Sequence, residues 1–191
     1  MSNHKGKIAW IFEDYFDVDL ICGTTHMDAT DIDSLLKHTM LDFDPQFVNR
    51  VKPGEILIAG RAFGYGHPHP QGMLVMRKLG IRTILAKSFA RVFFKNETAA
   101  GMILLPCAAI PDDFSLDEEL EVDLNAWTVS RCKDGVLYKL DAIPKIEHEI
   151  MLCGDIANYF KEKKLWLKGL LFKKIDSFLE IKMNQRGSRF T

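Results

Sequence analysis

The segment from Ile56 to Leu105 most constrains the fold. Short apolar runs at Glu55–Ala59, Ile84–Ala86 and Met102–Leu105 alternate with helix-like stretches at Met73–Leu79 and Phe89–Asn96. Gly80 stands where the first of these helices must stop, and Pro106 breaks the last strand. Strand, helix, strand, helix, strand predicts right-handed crossovers and a mostly parallel central sheet.

Flanking segments extend this frame. Lys7–Phe12 reads as a further strand, turned by Glu13-Asp14-Tyr15. Asp17 and Asp19 follow; in an extended chain they share a face, which suits binding a metal or positioning a basic group, whereas in a loop they are merely polar. Thr30 or Asp31 caps a helix through Ser34–His38, and Asp44-Pro45 opens a second one over Gln46–Val51. Beyond Pro111, Glu119–Leu124, Trp127–Ser130 and Val136–Leu140 alternate polar and apolar residues around the turn Lys133-Asp134-Gly135, predicting a small β unit. Ile143-Pro144 leads into a helix through Glu147–Leu152. From Asp155 to Met183 the pattern is helical, with Leu167, Leu171, Ile175 and Phe178 on one face. Seven lysines against three acids between Lys161 and Met183 make that helix basic, so it either docks on its own domain or meets a membrane surface or partner.

Composition narrows the class. With 191 residues and 47% hydrophobic content, one domain can build its own core. A net charge of −1 provides no overall footprint for nucleic acid. The four cysteines, Cys22, Cys107, Cys132 and Cys153, include no CxxC pair, so no metal cluster is expected on this chain. Their spacing suits small buried hydrophobes in a reducing cytoplasm. No run approaches the roughly 20 apolar residues of a membrane span, and a soluble protein is expected.

The chemistry concentrates between strand and helix, in Gly64-Tyr65-Gly66-His67-Pro68-His69-Pro70. Glycines let a backbone approach a ligand, and a helix N-terminus attracts anions. Neither a P-loop nor a dinucleotide fingerprint is present. Pro68 and Pro70 remove two amide donors, while His67 and His69 add two imidazoles suited to proton transfer or metal binding. On pattern alone the segment is a proline-stiffened turn or a catalytic one.

Three stretches in order carry a resemblance to a known family: GKIAWIFEDYFDVDLI, DPQFVNRVKPGEILIAGRAFG and GIRTILAKSFARVFFKNETAAGMILLPC. They resemble the small subunit of 3-isopropylmalate dehydratase, the equivalent of the aconitase swivel domain. The likeness runs from about Lys5 to Lys164. It implies an α/β swivel-type domain over residues 1–164, with a mostly parallel central sheet and a small β appendage. Residues 165–191 are then a C-terminal helical extension, expected to dock a partner or a second copy.

The resemblance also implies a hydro-lyase that dehydrates or isomerises a hydroxy di- or tricarboxylic acid. It implies a separate large subunit bearing a 4Fe-4S cluster as Lewis acid, and a heteromer, with a homo-oligomer of heterodimers as a further expectation. Relatives carry GSSRE after the glycine turn. Here His67 stands at the base serine, Pro68 at the second serine, His69 at the carboxylate-gripping arginine and Pro70 at the glutamate. The resemblance then puts His67 in the catalytic role, with His69, Gly66, Arg61, Thr24, Thr25 and His26 around the substrate. An imidazole cannot copy the bidentate fork of arginine, so an altered substrate is expected. The alternative is a non-catalytic binding or regulatory subunit of the same fold.

Overall fold

The computed structural model describes residues 3–26 and 31–163. Strands β1 (Asn3–Phe12), β2 (Ile56–Ala59), β3 (Thr83–Ala86) and β4 (Ile103–Pro106) are parallel. Strands β5 (Glu119–Asp123), β6 (Thr128–Arg131) and β7 (Leu137–Lys139) continue antiparallel from β1. Together they form one seven-stranded sheet of order β4-β3-β2-β1-β5-β6-β7. The β unit expected after Pro111 is thus joined to the parallel sheet. The join is β1 itself: Asn3–Lys7 pairs with β5, and Ile8–Phe12 pairs with β2.

The parallel strands are added in one direction, so right-handed crossovers place their helices on one face. These are α1 (Ile32–His38), α2 (Phe47–Arg50), α3 (Gln71–Lys78) and α4 (Arg91–Ala99). Leu35, Phe47, Met73, Met76 and Phe93 of the helices pack on Leu57, Ala59, Ile84, Ala86 and Leu104. The opposite face, Ile56, Ile58, Leu85 and Leu105, is covered by Cys107, Ile110, Phe114 and residues of β5 and β6. Both faces of β2 and β3 are therefore buried, which is why these strands show no polar alternation.

A register shift between Ile8 and Trp10 interrupts β1. It reverses the side-chain parity, so Ala9 and Trp10 both face the helices and Phe12 follows them there. Phe12 then joins Phe16 and Phe63, with ring centroids 4.4 and 5.2 Å from its own. This aromatic cluster is the floor under the glycine turn.

Local signals predicted most of the elements. Asp31 caps α1 by accepting from Ser34 N–H, and Gly80 ends α3 with φ of +82°. Residue 155 is followed by helical residues 156–163, after α5 (Lys145–Cys153). The expected extension over 165–191 lies outside the described residues. Helix α4 begins two residues later than the pattern suggested. Phe89 forms a β-bridge with Phe63, and Ala90 N–H donates to Phe63 O, so residues 88–90 serve the neighbouring loop. Among the described residues no helix is long and apolar enough to cross a membrane.

Candidate active site

The loops after β1, β2 and β3 leave the sheet along one edge, the carboxyl end of the parallel strands, where ligands bind in open α/β sheets. The turn after β2 is locked there from below. Phe63 is fully buried; its N–H donates to Ser88 O, while Gly64 N–H donates to Phe16 O. Gly64 has φ of +80°, and a Cβ at this position would sit 2.2 Å from Phe93 Cγ. Only glycine meets both demands. Gly66 also needs positive φ, +92°, and its added Cβ would face Asp17 Oδ2 at 3.6 Å.

Asp17 and Asp19 do not lie in an extended strand. They open a 3-10 helix, Val18–Ile21, in which Asp17 is the N-cap and accepts from Asp19 N–H at 3.0 Å. The same-face pair considered for an extended chain is therefore absent, because the segment is helical rather than extended. Asp19 instead runs under the histidine turn and is 7% exposed. Its Oδ1 accepts the His69 backbone N–H at 2.8 Å, and its Oδ2 lies 2.7 Å from His69 Nδ1. Gly72, in the first turn of α3, lets this arrangement close: a Cβ there would be 2.6 Å from Val18 O.

His67 and His69 lie edge to face, with ring centroids 5.5 Å apart. Both residues are exposed, and among the described residues only His69 is gripped by a buried carboxylate. The turn thus brings His67, His69 and Gly66 together with Asp19 beneath them. Thr24 and Thr25 are exposed in the short 3-10 helix Thr24–His26 that follows the Asp19 segment. Among the described residues no hydrogen bond links Thr24 or Thr25 to the two histidines.

Arg61 is engaged elsewhere. Its backbone N–H and Nε donate to Asp14 at 2.7 and 2.8 Å, and its guanidinium pairs with the same carboxylate. The Arg61 backbone N–H and then its side chain hold the Asp14 carboxyl below the usual carboxylate range. The pair borders a cavity of about 490 Å³, together with Lys87, Asp112, Ile110 and Phe114. Lys87 and Asp112 form a second ion pair there. The capture of Arg61 by Asp14 was not legible in the sequence: the partners are 47 residues apart. The sequence marks Asp19 as suited to position a basic group, but its partner lies 50 residues away and no spacing rule reaches it.

The donors present do not fit an iron–sulfur cluster on this chain. Cys22 and Cys107 are buried in the two separate cores, on opposite faces of the sheet. Among the described residues, no three His, Cys, Asp or Glu side chains converge to hold a metal ion.

Comparison with known proteins bears on the family and the fold. The family model described as the aconitase C-terminal domain matches residues 24–109. A 3-isopropylmalate dehydratase small subunit of Thermodesulfovibrio yellowstonii is 33% identical over 159 residues, covering 83% of this chain and 94% of its own. An isopropylmalate/citramalate isomerase small subunit of Methanocaldococcus jannaschii is 31% identical over 159 residues, covering 83% and 94%. A crystal structure of 3-isopropylmalate dehydratase from Methanocaldococcus jannaschii superposes with a TM-score of 0.75 at 29% identity, covering 87% of this chain and 98% of that one. With the fold and these relatives in agreement, the chain belongs to the aconitase-like family of 3-isopropylmalate dehydratase small subunits.

Proposed function

We propose that this chain is the small subunit of a cytoplasmic hydro-lyase that dehydrates or isomerises a hydroxy di- or tricarboxylic acid together with a large subunit. The Asp19–His69 pair carries this proposal. A buried carboxylate gripping both the backbone and the ring of one exposed histidine is an investment in orientation that a spacer or binding module does not need. The Lewis-acid part of the reaction is assigned to a 4Fe-4S cluster on the large subunit, a division of labour that the wide spacing of the cysteines here supports. This chain supplies the proton-transfer edge and part of the substrate pocket.

The substrate differs from isopropylmalate. An imidazole recognises a carboxylate through a single donor, where a guanidinium would offer a planar fork. A smaller or less charged hydroxy acid fits that weaker grip.

The experiment is reconstitution. The chain is co-expressed with an iron–sulfur large subunit, and alkene formation is followed anaerobically over a panel including 3-isopropylmalate, citramalate, malate, citrate and homocitrate. Co-purification and turnover of at least one acid are expected. A stable complex without turnover across the panel would instead support the non-catalytic alternative.

A further inference from the structure

We propose that His69, rather than His67, moves the proton in this site, and that Asp19 is its positioning residue, holding the ring with Nδ1 protonated and Nε2 open. This rests on the hydro-lyase function above and assigns the atom that performs its proton transfer.

Hydrogen-bond accounting fixes the tautomer. An ionised carboxylate can only accept. Asp19 Oδ1 accepts the His69 backbone N–H, and Oδ2 faces Nδ1 at 2.7 Å, so the ring proton sits on Nδ1. In the neutral ring the Nε2 lone pair then faces outward, on a side chain that is 44% exposed. One carboxylate holding both the backbone and the ring of the same residue removes the freedom to swing or flip. Pro68 and Pro70 fix the backbone on either side. Asp19 is held in turn, through its N–H bond to Asp17 and through the contact of Val18 O with Gly72. His67 has its ring edge-to-face with His69, and among the described residues no carboxylate is bonded to it. It is suited to meet a substrate carboxylate.

In dehydration, the C–H bond beside the substrate carboxylate breaks and its proton passes to Nε2. The C–H electron pair becomes the new C=C bond, and the hydroxyl leaves as hydroxide on the partner's side. The proton and the hydroxide together make the released water, and rehydration at the neighbouring carbon reverses the transfers.

The test has two arms. Long-range ¹H–¹⁵N spectra of the isolated full chain should show neutral His69 as a single Nδ1–H tautomer. In D19N the amide oxygen can keep the backbone bond while its NH₂ points at Nδ1, so the ring proton should move to Nε2. An Nε2–H or mixed tautomer for His69 in the wild type would overturn the assignment. In the reconstituted enzyme, H69Q should lower kcat by about 10²- to 10⁴-fold, the usual contribution of a placed acid–base group. H67Q should act mainly on KM, and D19N should lower kcat with KM little changed, because its ring presents the wrong nitrogen. Loss of kcat in H67Q but not in H69Q would reverse the roles and refute the proposal. Should the wild-type pair turn over no hydroxy acid, the hydro-lyase function fails and the catalytic role of His69 fails with it; the tautomer on the isolated chain still decides whether Asp19 positions the ring.

Discussion

Replacing Gly64 by alanine should destabilise the fold by about 2–5 kcal/mol, through two separable causes. The first is backbone strain: φ at this position is +80°, and an L-residue in the left-handed region costs about 1–2 kcal/mol. The second is overlap. The added Cβ would sit 2.2, 2.5 and 2.6 Å from Cγ, Cδ2 and Cβ of Phe93, where carbon atoms prefer roughly 3.5–4.0 Å. Phe93 is 1% exposed and cannot withdraw, being held by Phe63 and Phe89 at ring centroid distances of 5.4 and 6.3 Å. Overpacking of this kind costs about 1–3 kcal/mol.

A double-mutant cycle separates the terms. F93A alone should cost about 3–5 kcal/mol as a buried aromatic lost from the core. In G64A/F93A the overlaps with Cγ and Cδ2 disappear, while the 2.6 Å approach to the Cβ that alanine retains and the backbone strain stay, so the double variant should be about 0.5–2 kcal/mol more stable than the sum of the singles. Urea denaturation of the purified chain measures all three. In a chain of this size each kcal/mol corresponds to roughly 2–4 °C in Tm, so G64A alone should melt about 4–20 °C lower. A G64A variant within about 0.5 kcal/mol of wild type, or strict additivity in the cycle, would refute the claim that Phe93 dictates glycine here.

Two further outcomes follow from charged pairs. Arg77 on α3 and Glu97 on α4 form a largely buried ion pair, and burial pushes the Glu97 carboxyl up while Arg77 opposes it. Between the ordinary and the raised value the folded chain binds more protons than the unfolded one, so this group's contribution to stability falls as pH rises through that window. R77M should leave the carboxylate buried and unpaired, costing about 3–5 kcal/mol at neutral pH; denaturation midpoints at decreasing pH should show the loss shrinking as Glu97 takes up its proton, and a pH-independent loss would contradict this. R61A should leave KM of the reconstituted enzyme unchanged, because the guanidinium is occupied by Asp14; a large rise in KM would return Arg61 to the substrate site.

The sequence by itself determined the layered core. Its alternation of short apolar runs and helical stretches specifies parallel strands with helices between them, and that information is local: Asp31 reaches Ser34, and Gly80 ends the helix that it follows. The two histidines were equally visible, at alternate positions of a proline-rich turn. What distinguishes them came only with the tertiary structure. The 3-10 helix at Val18–Ile21 packs against the first turn of α3, because Gly72 lets Val18 O approach, and this carries Asp19 to His69 across 50 residues of chain. The same kind of closure delivers Asp14 to Arg61 and joins the antiparallel strands to the parallel sheet along β1. Periodicity and capping report on neighbours within a few residues, whereas a buried carboxylate chooses its partner by the close approach of two loops. The imidazoles are thus visible in the sequence, and the packing beneath them decides which one a buried carboxylate holds.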